Sequence, residues 1–130
     1  MNEIEKKPTT VSYGRFFSLH YEVVHFMYSA KGLYEYDSKR NRVKEKYFNE
    51  RGKLLYYVTY KYNDQCSLTE ACMYNGAGHL DDSRAGFSKL RIAYADDGVT
   101  PRKKTYYKGG TVLAWQSYDS KTGKWGNLNF

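Results

Sequence analysis

Cysteine is scarce. Cys66 and Cys72 are the only two, too few for a disulfide scaffold. No hydrophobic run reaches the length of a membrane span. Met1 to Thr10 lacks an apolar core segment, so no signal peptide is expected and the chain as given reads as cytoplasmic. A piece of a secreted or surface protein is the alternative origin. Proline is limited to Pro8 and Pro101, and Pro8 argues against a helix running on from the N-terminus. The three histidines, His20, His25 and His79, leave little for histidine chemistry.

Tyrosine is abundant. There are 15 Tyr and 6 Phe, and aromatics form 18% of the chain, which speaks against disorder and for half-buried pleated strands. At 130 residues the chain fits one domain with a core. The formal net charge of +7 favours a polyanionic partner, whether nucleic acid, anionic membrane surface or acidic polysaccharide, although a basic surface also serves solubility.

The stretch Tyr34 to Leu54 reads as strand, turn, strand, turn. Tyr34 and Tyr36 keep the strand period, and Asp37 to Arg42 is rich in turn formers. Val43, Glu45 and Tyr47 then alternate with Lys44, Lys46 and Phe48, and Asn49 to Gly52 closes the unit. Two half-motifs recur. Apolar or aromatic pairs lead into Gly-containing turns at Met27–Gly32, Tyr47–Gly52, Met73–Gly78 and Tyr106–Gly110. Aromatics lead into polar turns at Tyr36-Asp37, Tyr62-Asn63-Asp64, Tyr94–Gly98 and Tyr118–Gly123. Insertions fall near Gly76 to Gly86 and at Pro101. The expected fold is all-β: an antiparallel meander of repeated hairpins, twisted or curled into a half-barrel. Residues 1–10 form a flexible arm and 11–130 a single β domain. Residues 16–28 fit a strand, or a short N-terminal helix with Phe16, Leu19, His20, Val23 and Met27 on one face. Trp115 and Trp125 would cap the sheet, and Phe130 either frays or tucks back.

Tyr36-Asp37-Ser38-Lys39-Arg40-Asn41-Arg42-Val43 resembles the Tyr-Asp-x-x-Gly-Asn-Arg-Val signature of YD repeats, found in Rhs-type bacterial proteins. Tyr118–Gly123 keeps the Gly that Arg40 replaces. Ala85-Gly86-Phe87 through Tyr94 and on to Tyr106-Tyr107 is similar to units of related repeat proteins, so the resemblance covers about residues 27–123. It departs at Asn63 and Ala95, where the pattern has Asp, and its period is uneven. The resemblance implies an interaction or structural β module, bacterial or phage in origin, without a catalytic set.

The reactive residues carry weak signals. On a single strand from 66 to 73, Cys66 and Cys72 would lie ~20 Å apart as free thiols; a turn at 67–69 could instead join them. Cys66, Cys72 and His79 have no recognised zinc spacing. Asp81-Asp82 and Asp96-Asp97 read as turn chemistry, and Gly76-Ala77-Gly78 and Gly109-Gly110 lack the helix and Lys of a phosphate loop. No catalytic residue, metal or cofactor is assigned.

The basic residues carry the strongest hint. Lys39, Arg40, Arg42, Lys44 and Lys46 cluster in one turn and strand, and Arg102, Lys103 and Lys104 hold the corresponding place later. With tyrosines interleaved, a binding surface of Tyr34, Tyr36, Arg42, Lys44, Lys46, Tyr60, Tyr62, Arg102, Lys104 and Tyr107 is expected to engage a protein or carbohydrate ligand. The alternatives are a basic nucleic-acid binder, a small nuclease-like enzyme using His with Lys or Glu, or simply a solvated face whose lysines block aggregation. Homodimerisation through edge strands is a further expectation.

Overall fold

The computed structural model describes residues 2–3 and 31–130. The helix-or-strand question over 16–28, His20, His25 and the first repeat copy up to Ala30 lie outside the described residues. The strands are β1 (Asn2–Glu3), β2 (Lys31–Tyr36), β3 (Arg42–Phe48), β4 (Leu54–Tyr62), β5 (Leu68–Asn75), β6 (Lys89–Tyr94), β7 (Pro101–Lys108), β8 (Thr111–Asp119) and β9 (Lys124–Trp125). Strands β2–β9 form one eight-strand antiparallel meander whose order in space is the order in the chain, with β1 outside β2. The sheet is not closed, and the described residues contain no helix.

One turn is used again and again. Asp37, Asn49, Asn63 and Asn75 each open a hairpin by donating the backbone N–H to the carbonyl four residues on, at Asn41, Lys53, Ser67 and His79. The N–H of the fourth turn residue, Arg40, Gly52, Cys66 or Gly78, returns to the opening residue's carbonyl. One side-chain oxygen of the opening Asp or Asn accepts two further N–H groups, from Lys39 and Asn41, Arg51 and Lys53, Gln65 and Ser67, and Ala77 and His79. This is an Asx-capped type I turn ending in a left-handed residue. The fourth residue has φ of 67° at Arg40, 78° at Gly52, 61° at Cys66 and 88° at Gly78.

A bulge follows each of five turns. The register shifts past Val43, Leu55, Thr69, Arg102 and Leu113, always on the strand that leaves the turn. An extra residue there flips the alternation. Arg42 therefore pairs with Tyr36, while Lys44 pairs with Glu35 on the other face. After the Asn75 turn, the chain touches β5 through the Leu80–Tyr74 bridge and then leaves the sheet. It returns where the Met73 N–H meets the Ser88 carbonyl. This excursion delivers Ala85 and Phe87 into the core, both 0% exposed.

The core face carries Tyr34, Tyr47, Tyr56, Val58, Tyr60, Ala71, Met73, Leu90, Tyr106 and Ala114. Tyr47 and Tyr56 stack at 5.1 Å, and Tyr34 meets Tyr47 edge-on. Arg42 and Arg84 lie over the outer rings, 4.0 Å above Tyr34 and 4.2 Å above Tyr56. The two cysteines are free thiols: Cys66 is exposed in its turn and Cys72 is buried in β5. The strand begins at Leu68 rather than at Cys66, because the Asn63 turn occupies 63–67. The C-terminal tail does not fray, and Leu128 rather than Phe130 packs against the core. Asn129 pairs with Trp115 along β8, and Phe130 is left 87% exposed.

Arg40 and Cys66 hold a conformation that costs a residue with a Cβ about 1 kcal/mol. Arg40→Gly and Cys66→Gly should each stabilise the fold by up to about 1 kcal/mol, while Asn49→Ala should cost about 1 kcal/mol. Urea denaturation checks both signs.

Candidate functional site

The bulges give the sheet two unlike faces. On the core face a charged cluster is built around Glu45, which is 0% exposed. Arg42 Nη1 donates to Glu45 Oε2 at 2.7 Å, and the Tyr60 hydroxyl donates to Oε1 at 2.6 Å. Arg42 Nη2 reaches the Tyr36 hydroxyl at 3.1 Å, and the Tyr62 hydroxyl donates to the Arg42 carbonyl at 2.7 Å. Burial opposes the Arg42 charge, but the bonds to Glu45 and Tyr36 outweigh it and leave its pKa raised. Burial and the adjacent Glu45 carboxylate push Tyr60 well above the usual phenol range. Such a cluster holds one strand register.

The other face is cationic and aromatic. Across the strands run Leu33, Lys46, Tyr57 and Tyr74, then Glu35, Lys44, Thr59, Cys72, Lys89 and Tyr107. A third row is Lys61, Glu70, Arg91, Thr105 and Trp115, and Lys103 pairs with Ser117 beyond it. Tyr57 and Tyr74 stack at 4.8 Å. Cations sit against the rings: Lys44 with Tyr57, Lys89 and Arg91 with Tyr107, and Lys103 with Trp115 at 4.8 Å. Where β5, β6 and β7 meet, a depression of about 400 Å³ is lined by Lys61, Thr69, Glu70, Arg91, Thr105 and Tyr107, among others. Glu70 accepts from Arg91 Nε at 3.0 Å and lies 3.4 Å from Lys61 Nζ. Partial burial works against its charge, but those two cations win and its pKa is lowered.

The expected binding residues separate accordingly. Tyr34 and Tyr60 are only 2% and 4% exposed, and Tyr36, Arg42 and Tyr62 join them on the core face. Lys104 also lies on that side, against Trp125 at 4.3 Å, and burial lowers its pKa. Lys44, Lys46 and Tyr107 lie together on the cationic face, and Arg102 is the exposed bulge residue of β7. Sequence reasoning missed Tyr57, Tyr74, Lys89, Arg91 and Trp115. Period-two alternation from the buried Tyr56, Val58 and Tyr60 would have found Tyr57.

His79 is exposed and holds the Asn75 turn through its backbone. Cys72 has its thiol pKa pushed up by burial and is no ready nucleophile. Asp97 binds the Val99 and Thr100 N–H groups and the Thr100 hydroxyl, which hold its pKa down at about 2. Asp96-Asp97 is therefore turn chemistry. No protein-family model matches this chain, and a search of curated proteins finds no match.

Removing Glu45 strands a half-buried guanidinium. Glu45→Ala should cost about 3 kcal/mol in urea denaturation. The buried phenols set an alkaline limit. Burial raises Tyr60 and Tyr94, and Tyr106 is pushed up to about 12, against 10.0 when free. Their contribution is fully present below pH 10 and is lost as pH rises through the folded values. Stability should stay flat with respect to these groups up to about pH 9 and fall between about pH 10 and 12. Tyr60→Phe should fall less steeply, read from denaturation midpoints across that range.

Proposed function

We propose that this chain is a non-enzymatic β-repeat binding module of the YD-repeat kind, engaging a protein or glycan ligand through the cationic, aromatic face of its sheet. The observation that carries the reading is the separation of faces. Lys44, Lys89, Arg91 and Lys103 share one side with Tyr57, Tyr74, Tyr107 and Trp115, and these rings contribute little to the core on the other side. Ladders fixed by bulges and capped turns hold the strands that carry these groups, so little backbone order is lost on binding. The repeat kinship is supported by Arg40: the position where the YD signature has Gly has a φ of 67°.

Nucleic acid is the competing ligand, favoured by the +7 charge. Salt separates the two. Phosphate binding should weaken linearly in log affinity against log salt with a steep slope, whereas an uncharged glycan or peptide held by the rings should retain much of its affinity. Lys44→Ser combined with Tyr107→Ser should lower ligand affinity by at least about tenfold, measured by titration against glycan and peptide panels. The melting temperature should move by no more than about 5 °C. A larger thermal loss with unchanged binding would make this face a packing surface and contradict the reading.

A further inference from the structure

The cationic face is more specific than a charge patch. In its third row an anion stands between two cations. Glu70 has a side chain only 14% exposed and lies between Arg91, 57% exposed, and Lys61, 74% exposed. Arg91 uses Nε on Glu70, so its two Nη groups, the edge suited to bidentate binding of an oxyanion, are not held by that carboxylate. Thr105 pairs with Arg91 on one side and with Trp115 on the other, and the Tyr107 ring stands beside the same depression.

We propose that this depression binds one residue of an acidic polysaccharide. A sugar ring would rest against Tyr107, its hydroxyls would donate to Glu70 and meet Thr105, and its carboxylate or sulfate would lie on Arg91 and Lys89. The inference rests on the binding-module reading above and gives its ligand a chemical class. Two features favour a charged sugar over a nucleic-acid strand. Tyr57 and Tyr74 are stacked on each other and Lys103 lies 4.8 Å from the Trp115 ring, which leaves Tyr107, with its cations farther off at 5.7 and 5.8 Å, as a platform for one ring rather than for successive bases. The Glu70 carboxylate accepts hydroxyls, which each sugar residue offers in number and a phosphate-linked strand does not. The cations around it exceed the acidic groups, which complements a uronate or sulfated chain as it would any polyanion.

The test is titration of the full chain with polygalacturonate, with the same polymer methyl-esterified, and with a thymidine oligonucleotide of matched charge, at about 0.15 M salt. The free acid should bind at least about tenfold more tightly than the ester or the oligonucleotide. Glu70→Gln supplies a sign test. It removes a negative charge, so any purely electrostatic polyanion binding must strengthen. Exchange of a charged hydroxyl acceptor for the weaker neutral amide oxygen should instead weaken uronate binding by about tenfold. Arg91→Gln should also weaken it, and thermal melting confirms that both variants fold. Tighter or unchanged binding by Glu70→Gln, equal binding of the oligonucleotide, or no binding of the free acid would each overturn the inference. If the ester binds as well as the acid, and Tyr107→Ser abolishes both, the acidic class is wrong while the binding-module reading stands. If Tyr107→Ser leaves every interaction untouched, that reading falls as well.

Discussion

The structure depends on one local constraint, the five-residue turn in which an Asx side-chain oxygen gathers two backbone N–H groups and the fourth residue goes left-handed. Such a turn matches the right-handed twist of the flanking strands and leaves one register for the pair. It recurs from Asp37, Asn49, Asn63 and Asn75 with donor–acceptor distances between 2.8 and 3.0 Å throughout. Each hairpin alone would be marginal; in series they bury a common face. The bulge that follows each of five turns is as important as the turn. It decides which side chains meet the core.

The most consequential bulge is at Val43. It turns Arg42 onto the core face, over Tyr34 and against Glu45, and leaves Lys44 on the open face with Glu35. A slip of β3 by one residue would bury Lys44 and Lys46 and expose Glu45 and Tyr47. Such a slip is heavily disfavoured, because it strands charges in the core and breaks the Glu45–Tyr60 bond. The ion pair therefore selects register as much as it stabilises. Phenol hydroxyls extend the same logic across the sheet. Tyr62 binds the Arg42 carbonyl, Tyr94 the Leu68 carbonyl and Tyr106 the Gln116 side chain. Each of these three rings lies on the core side while its hydroxyl ties one strand to another.

Much of the fold was legible in the sequence, because turns are spelled locally. Asp37, Asn49, Asn63 and Asn75 gave the turns of the meander, with Arg40 read in the place of a Gly but Cys66 read into the following strand, and the alternation of Glu45 and Tyr47 with Lys44 and Lys46 gave the two faces of β3. The candidate site was legible only in part. A bulge has no spelling of its own, so Arg42 seemed to belong with Lys44, and Tyr60 and Tyr62 seemed available to a ligand. Arg91 and Glu70 lie 21 residues apart in the chain, and only the β5–β6 register brings them together. The detour between Leu80 and Ser88 looked like a plain Gly- and Asp-rich loop. Its Ala85 and Phe87 are core residues, a role that tertiary packing alone assigns.

Amide hydrogen exchange at Asn41, Lys53, Ser67 and His79 tests the turn constraint most directly. These amides lie in turns, where water has access, yet each is bonded to an Asx oxygen. They should exchange far more slowly than the neighbouring loop amides of Ser38 and Glu50. Replacing the opening Asp or Asn by Ala should release protection at its own turn while the other turns keep theirs. Rapid exchange at all four positions in the unaltered protein, or protection that survives loss of the Asx side chain, would contradict the account.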